Sequence, residues 1–315
     1  MNFIEIIRYS RKSFLIRLYG FKLKLVKYYQ RLLQRDFRWL PMFVIARFPL
    51  GRKIATFLYR DRSFKTDNNY HDKASIFDNL DIDRAVTSIK KNGYCLDLQL
   101  PQNYLQEILK FAYSEEISVD NNPNLKFKLA DKQQAEIDFK QKILIGNYLN
   151  ADTRCLTLKK LGDDFKLREI ADRYLESKAI LVRSHLGWCF AGDQKAYFQK
   201  GDLGVPIVLF HYDLDDYRAL KFFFYLTDVD ASSGSHLCIA GSHNQRKLKH
   251  YIFRSQSDRE ILNYYGSEKI VRICGQAGFG FAEDPFCFHR GSPPVTSPRL
   301  MIQLEFALYD YGKWK

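Results

Sequence analysis

Residues 205–228 read VPIVLFHYDLDDYRALKFFFYLTD, and the chain returns to the same chemistry at 279–300 with FGFAEDPFCFHRGSPPVTSPRL. Val205 to Phe210 is β-branched and apolar, which predicts a strand leading into His211. In an extended strand residues i and i+2 point to one face, so His211 and Asp213 can grip one ion together. Asp284-Pro285 marks a turn, after which a second apolar segment delivers His289. Two imidazoles and a carboxylate are the ligand set of non-haem Fe(II) oxygenases, and they leave three positions of an octahedral ion open. Those positions suit a bidentate 2-oxoacid and dioxygen. A single carboxylate also leaves net positive charge for an anionic cosubstrate.

Arg299 stands ten residues past His289 and opens RLMIQLEFAL. Leu300, Ile302, Leu304, Phe306 and Leu308 alternate with Arg299, Met301, Gln303, Glu305 and Ala307, a period of two that predicts a strand with one face on a core and the other on a polar cavity or water. A guanidinium at its head offers a planar fork for a carboxylate, which a lysine cannot match. The His-x-Asp triplet carries little by itself. With 7 His and 36 acidic residues in 315, it is expected about once per chain by chance. The ordered string carries the reading: strand, triplet, a second aromatic strand ending in LTDVD, a Gly-Ser-His turn at 241–243, a glycine-punctuated strand pair, then His-Arg-Gly and the arginine.

That string, HYD…LKFFFYLTDVDASSGSHLCIAGSH…FHRGSPPVTSPRL, resembles the phytanoyl-CoA dioxygenase family of Fe(II)/2-oxoglutarate oxygenases, and the likeness extends upstream through NGYCLDLQL and PQNYLQEILKFA, over about residues 80 to 310. The resemblance implies His211, Asp213 and His289 as iron ligands, Arg299 as the 2-oxoglutarate clamp, and Fe(II), 2-oxoglutarate and dioxygen as cofactor and cosubstrates. Two departures stand out. Ala240 precedes Gly-Ser-His where the family has proline, and Gly291 stands where members often carry a hydroxyl, with Ser292 following. Related halogenases lack the carboxylate, so Asp213 favours hydroxylation over halogenation. A non-catalytic metal-binding or scaffolding relative, docked at a membrane assembly, is the alternative.

Other polar residues carry weaker expectations. His243 shapes a turn or caps the next helix. His71, His185, His236 and His250 have no metal-binding spacing, and Lys221 is expected to snorkel to the surface rather than touch an anionic group in the cavity. Glycines 275, 278 and 280 read as turns, because a dinucleotide fingerprint needs a strand-to-helix context that is missing here.

The six cysteines show neither a CxxC pair nor a disulfide-like framework, which suggests a reducing, cytoplasmic setting. Charged residues interrupt the first apolar stretch, so no signal peptide is expected, and no uninterrupted apolar run is long enough for a transmembrane helix. Hydrophobic residues make up 46% of the chain, ample for a large core.

Charge divides the chain. Residues 1–65 hold 16 Lys and Arg against 3 Asp and Glu, a net of +13, whereas residues 66–315 hold 33 of each. Phe14, Leu18, Phe21, Leu25, Tyr28, Tyr29 and Leu32 share one helical face, with Arg17, Lys24, Lys27, Arg31 and Arg35 beside it. Such a basic amphipathic helix suits an anionic membrane surface or a protein partner; packing on the main domain is the competing reading, as it is for the apolar segment 39–60. Nucleic acid is disfavoured for want of any reader motif.

The expected organisation is a basic, partly amphipathic N-terminal segment at 1–66 and a dioxygenase domain at 67–315. Residues 67–83 read as a linker into a helix at 83–91, and 117–150 as an irregular insertion or lid. Phe165–Ser177 predicts a helix and Ala179–Phe190 a strand. The fold class is α+β: a double-stranded β-helix, or jelly-roll, core at about 178–310, with flanking helices. The expected partner is a small-molecule, lipid or saccharide-linked substrate, whose identity the pocket walls do not disclose.

Overall fold

A computed structural model describes residues 37–59, 74–193, 197 and 209–312. The basic helix expected within 14–35 and the part of the linker before residue 74 lie outside the described residues. Two short helices come first, α1 (Trp39–Ile45) and α2 (Pro49–Tyr59), followed by α3 (Ile82–Asn92). Asp81 caps α3 by accepting from the Arg84 amide at 3.0 Å, and Gly93 closes it at φ 87°, a left-handed conformation that suits glycine. Strand β1 (Tyr94–Gln99) and helix α4 (Gln102–Ser114) follow, as the spacing predicts.

Residues 117–150 depart from the expected irregular lid. They form β2 (Ile117–Val119), β3 (Lys126–Phe127), α5 (Lys132–Asp138) and β4 (Ile145–Asn147). The strands extend a sheet, while Ile117, Val119, Phe127 and Ile143 enter the main core. The second half of the expected linker is also core, since Phe77 and Leu80 are buried and Phe77 stacks on Phe224 at 5.7 Å. Helices α6 (Ala151–Arg154), α7 (Leu156–Gly162) and α8 (Phe165–Leu175) lead into β5 (Ile180–Cys189). Asp164 caps α8 and also accepts from Ser75 Oγ and the Ile76 amide, both at 2.9 Å, tying the domain's opening turn to that helix.

The later strands are β6 (Phe210–His211), β7 (Ala219–Tyr225), β8 (His236–Ile239), β9 (Ser255–Gln256), β10 (Ile270–Ile273), β11 (Phe279–Glu283), β12 (His289–Gly291) and β13 (Arg299–Ala307); helices α9 (Leu248–Ile252) and α10 (Asp258–Tyr265) flank β9. Two antiparallel sheets result, one ordered β1-β11-β7-β13-β5-β4-β2-β3 and the other β10-β8-β12-β6-β9. From β5 to β8 successive strands alternate between the sheets. The alternation expected for β13 is observed: Leu300, Ile302, Leu304 and Phe306 enter the main core, and Arg299 and Glu305 face the other way yet are buried too. Between the sheets, Phe223, Tyr225 and Phe281 of the large one meet Cys238 and Ile273 of the small one. Among the described residues no helix is long and apolar enough to cross a membrane.

Candidate metal centre

His211 and His289 are direct cross-strand partners of β6 and β12 in the small sheet. Opposed residues lie about 5 Å apart, which sets their rings together with centroids at 4.7 Å. Of the strand expected over 205–210, residues 205–208 lie outside the described ones; Leu209 is a bend and Phe210–His211 is strand. Asp213 sits just beyond it, fixed by its amide donating to the Pro285 carbonyl at 2.8 Å. One ligand atom from each of His211, Asp213 and His289 falls within 4.8 Å of the others. His211 Nε2 is 3.9 Å from Asp213 Oδ1, and His289 Nε2 is 3.5 Å from Asp213 Oδ2.

The imidazoles are oriented alike. His211 Nδ1–H donates to the Leu209 carbonyl and His289 Nδ1–H to the Cys287 carbonyl, both at 2.9 Å. Each bond occupies Nδ1 and turns Nε2 toward Asp213, so Nε2 is the atom that each ring, once neutral, would offer a metal. The donor set therefore fits a divalent transition metal. Burial, reinforced by neighbouring His289, lowers the His211 pKa to about 4, so this ring is neutral at physiological pH. Burial acts on His289 in the same direction, but the Glu283 and Asp213 carboxylates outweigh it and raise that ring to about 9. Asp213 is held well below the ordinary carboxylate range: burial opposes ionisation, and Lys221 with the two histidines overcomes it.

Lys221 corrects the sequence expectation, since it is buried rather than snorkelling. Its ammonium lies 2.5 Å from Asp213 Oδ2, 3.1 Å from Asp215 Oδ2 and 3.6 Å from Glu305 Oε2. Burial would lower its pKa, yet these carboxylates hold it above the usual lysine value. The strand register explains the cluster, because Arg183, Glu305, Lys221 and Glu283 are successive cross-strand partners on β5, β13, β7 and β11. They form a row of alternating charge across the large sheet. His236 was also underrated by its spacing. It bonds Glu283 at 2.8 Å and stacks on His289 at 5.5 Å, which places the Glu283 charge beside His289. The signal in the sequence was a lone charged residue inside a strand as apolar as ALKFFFY.

Arg299 is buried at the head of β13. One terminal nitrogen donates to the Gly234 carbonyl, the other is 3.5 Å from Cys189 Sγ, and Nε, equally buried, has no hydrogen-bond partner among the described residues. A Cβ at Gly291 would stand 3.7 Å from the guanidinium. Arg299 thus lies beside the residue two places past His289, a strand step of about 6.6 Å. Ser292, whose amide is spent on the Ser235 carbonyl at 2.8 Å, follows Gly291. His243 sits in a turn as expected, buried between Cys287 Sγ at 3.4 Å and the Lys90 carbonyl at 3.2 Å.

No protein-family model and no curated protein matches the chain. Among solved structures it is similar to SnoN, a non-haem alpha-ketoglutarate-dependent epimerase from nogalamycin biosynthesis, at 15% identity over 71% of this chain and 80% of that one, with a TM-score of 0.49. EvdO2 from Micromonospora carbonacea var. aurantiaca shares 13% over 74% and 93%, at 0.48. EctD from S. alaskensis, solved with bound Fe, shares 19% over 71% and 75%, at 0.46. Likenesses this distant carry no functional argument.

Proposed function

We propose that this chain is an Fe(II)- and 2-oxoglutarate-dependent oxygenase built on a jelly roll and hydroxylating a small-molecule, lipid or saccharide-linked substrate. The observation that carries the reading is the convergence of His211, Asp213 and His289, each imidazole presenting Nε2, with a buried guanidinium two strand positions from His289. The alternation of strands between two antiparallel sheets supports the jelly-roll reading, and the motif order is similar to that of phytanoyl-CoA dioxygenases.

In this reading His211, Asp213 and His289 would hold the metal. Arg299 supplies a fork for the distal carboxylate of 2-oxoglutarate, whose five carbons have about the reach of the strand step that separates the guanidinium from His289. When bound, Fe(II) and 2-oxoglutarate supply oxygen activation, with 2-oxoglutarate decarboxylated to succinate as one oxygen atom passes to the substrate. Lys221 holds one oxygen of Asp213, and the Leu209 and Cys287 carbonyls lock the rings. Phe223, Tyr225 and Phe281 exclude water from the space between the sheets. The retained Asp213 favours hydroxylation over halogenation, and a cytoplasmic setting belongs to the same reading.

Succinate release from 2-oxoglutarate, with Fe(II), ascorbate and oxygen, tests it. Wild-type protein is expected to form succinate slowly without substrate, and His289→Ala to form none while keeping its thermal midpoint. Equal succinate from both proteins would contradict the ligand assignment, and none from iron-loaded wild type would favour the scaffolding alternative.

A further inference from the structure

We propose that the outward faces of α1 and α2, together with α9, form a docking surface for an anionic lipid membrane. An ordinary surface helix turns its apolar stripe to the core and its polar side to water. Helix α2 does the reverse. Leu50, Ile54, Phe57 and Leu58 recur at i, i+4, i+7 and i+8, and they are 69%, 52%, 67% and 66% exposed, whereas its buried edge is Ala55 and Thr56. Helix α1 is apolar on both sides: Trp39, Met42 and Ala46 enter the core beneath the small sheet, while Phe37, Leu40, Val44 and Phe48 face outward.

The surface continues onto α9. Phe48 meets the Tyr251 ring at 6.0 Å, and Arg47 donates to the Ile252 carbonyl at 2.8 Å. This contact joins Leu248, Ile252 and Phe253, all exposed, to the same face. So broad an apolar surface is uncommon on a monomer and marks an interaction site.

Charge selects the occupant. Residues 37–59 contain Arg38, Arg47, Arg52 and Lys53, residues 245–254 contain Arg246, Lys247, Lys249 and Arg254, and neither stretch has an Asp or Glu. Some of these cations have protein partners, since Arg52 and Arg246 stack on Phe286 and Tyr212 and Glu260 reaches Lys247 and Lys249. Lys53 is exposed within the apolar stripe of α2. A second copy of the chain would bring the four cations of residues 37–59 and the four of residues 245–254 against their equals, which opposes self-association through this face. Apolar side chains framed by cations match an acyl layer beneath anionic headgroups. Because α1 and α2 pack on Phe210, Tyr212, Phe286 and Phe288, docking would hold the strands bearing His211 and His289 in a fixed relation to the bilayer.

Flotation of the full chain with phosphatidylcholine vesicles, with and without phosphatidylglycerol, tests the proposal alongside the double variant Phe57→Glu, Leu58→Glu. Wild-type protein is expected to float only with anionic vesicles and less as salt rises, and the variant's bound fraction to fall about tenfold or more with its thermal midpoint and metal affinity unchanged. Failure of wild type to bind at low salt would overturn the proposal. So would a variant that binds as wild type does, because attachment would then reside in residues 1–36. A variant with a lowered midpoint and no lipid binding by either protein would show that the chain itself covers the stripe. A wild-type dimer that the variant abolishes in sedimentation would assign the face to a second copy. None of these outcomes depends on oxygenase turnover.

Discussion

Both imidazoles of the site donate Nδ1–H to the carbonyl two residues earlier, so backbone geometry fixes the two rings before any metal arrives. Arg299 is set in the same way by the Gly234 carbonyl. Replacing it with lysine keeps the charge and loses the fork, so the KM for 2-oxoglutarate should rise about tenfold or more while the KM for substrate changes little. Steady-state kinetics with each varied in turn reads this, and equal rises in both would indicate a general structural fault instead. Lys221 makes a different prediction. Lys221→Met leaves buried Glu305 and part-buried Asp213 and Asp215 without the ammonium they share, so unfolding in denaturant should show a loss of about 3 kcal/mol; a loss under about 1 kcal/mol would mean the cluster compensates internally. The convergence of His211, Asp213 and His289 was legible in the sequence, because such a donor set needs particular residue types in a particular order. Lys221 was not, since one lysine in an apolar strand reads alike whether it reaches water or a carboxylate on the neighbouring strand.

At the scale of elements, β13 was legible because nine residues give a period of two room to repeat. The strands within 117–150 were not, being only three, two and three residues long. Tertiary contacts define that region, and Glu136 is central to it. Its carboxylate accepts from Lys132 at 2.6 Å, from Lys142 at 3.0 Å and from the Ile143 amide at 3.0 Å. Partial burial disfavours its charge, yet these bonds lower its pKa to about 2. A carboxyl depressed in the folded state contributes stability that is complete above its unfolded value near 4.5 and is lost as pH falls toward 2. Glu136→Gln should therefore cost about 1 kcal/mol at pH 7 and progressively less as pH drops from about 4.5 toward 2. Thermal midpoints across that range measure it, and a pH-independent difference would show that packing, not charge, is what the variant loses.

Over the whole molecule, the two-sheet organisation and the helices α3, α4 and α8 were legible, while the relation of residues 39–59 to the domain was not. An apolar helix has the same sequence whether its face meets a bilayer or a core, and α1 presents such residues to both sides. Trp39 stacks on Phe43 at 5.0 Å and enters the core that backs β6 and β12. Trp39→Ala should accordingly lower the stability of the entire domain by about 3–5 kcal/mol, read as one cooperative shift in denaturant unfolding. A local loss of helicity without that shift would mean that α1 docks independently of the fold. The central claim, that three side chains and one arginine make an iron and 2-oxoglutarate site, is most directly tested by anaerobic titration with Fe(II) and then 2-oxoglutarate, followed by equilibrium metal analysis and visible absorption. One Fe(II) per chain should bind, addition of 2-oxoglutarate should produce a charge-transfer band, and Arg299→Lys should require about tenfold more 2-oxoglutarate to reach it. An unchanged band in a variant lacking His211, Asp213 or His289, or no band in wild-type protein carrying one Fe(II), would contradict it.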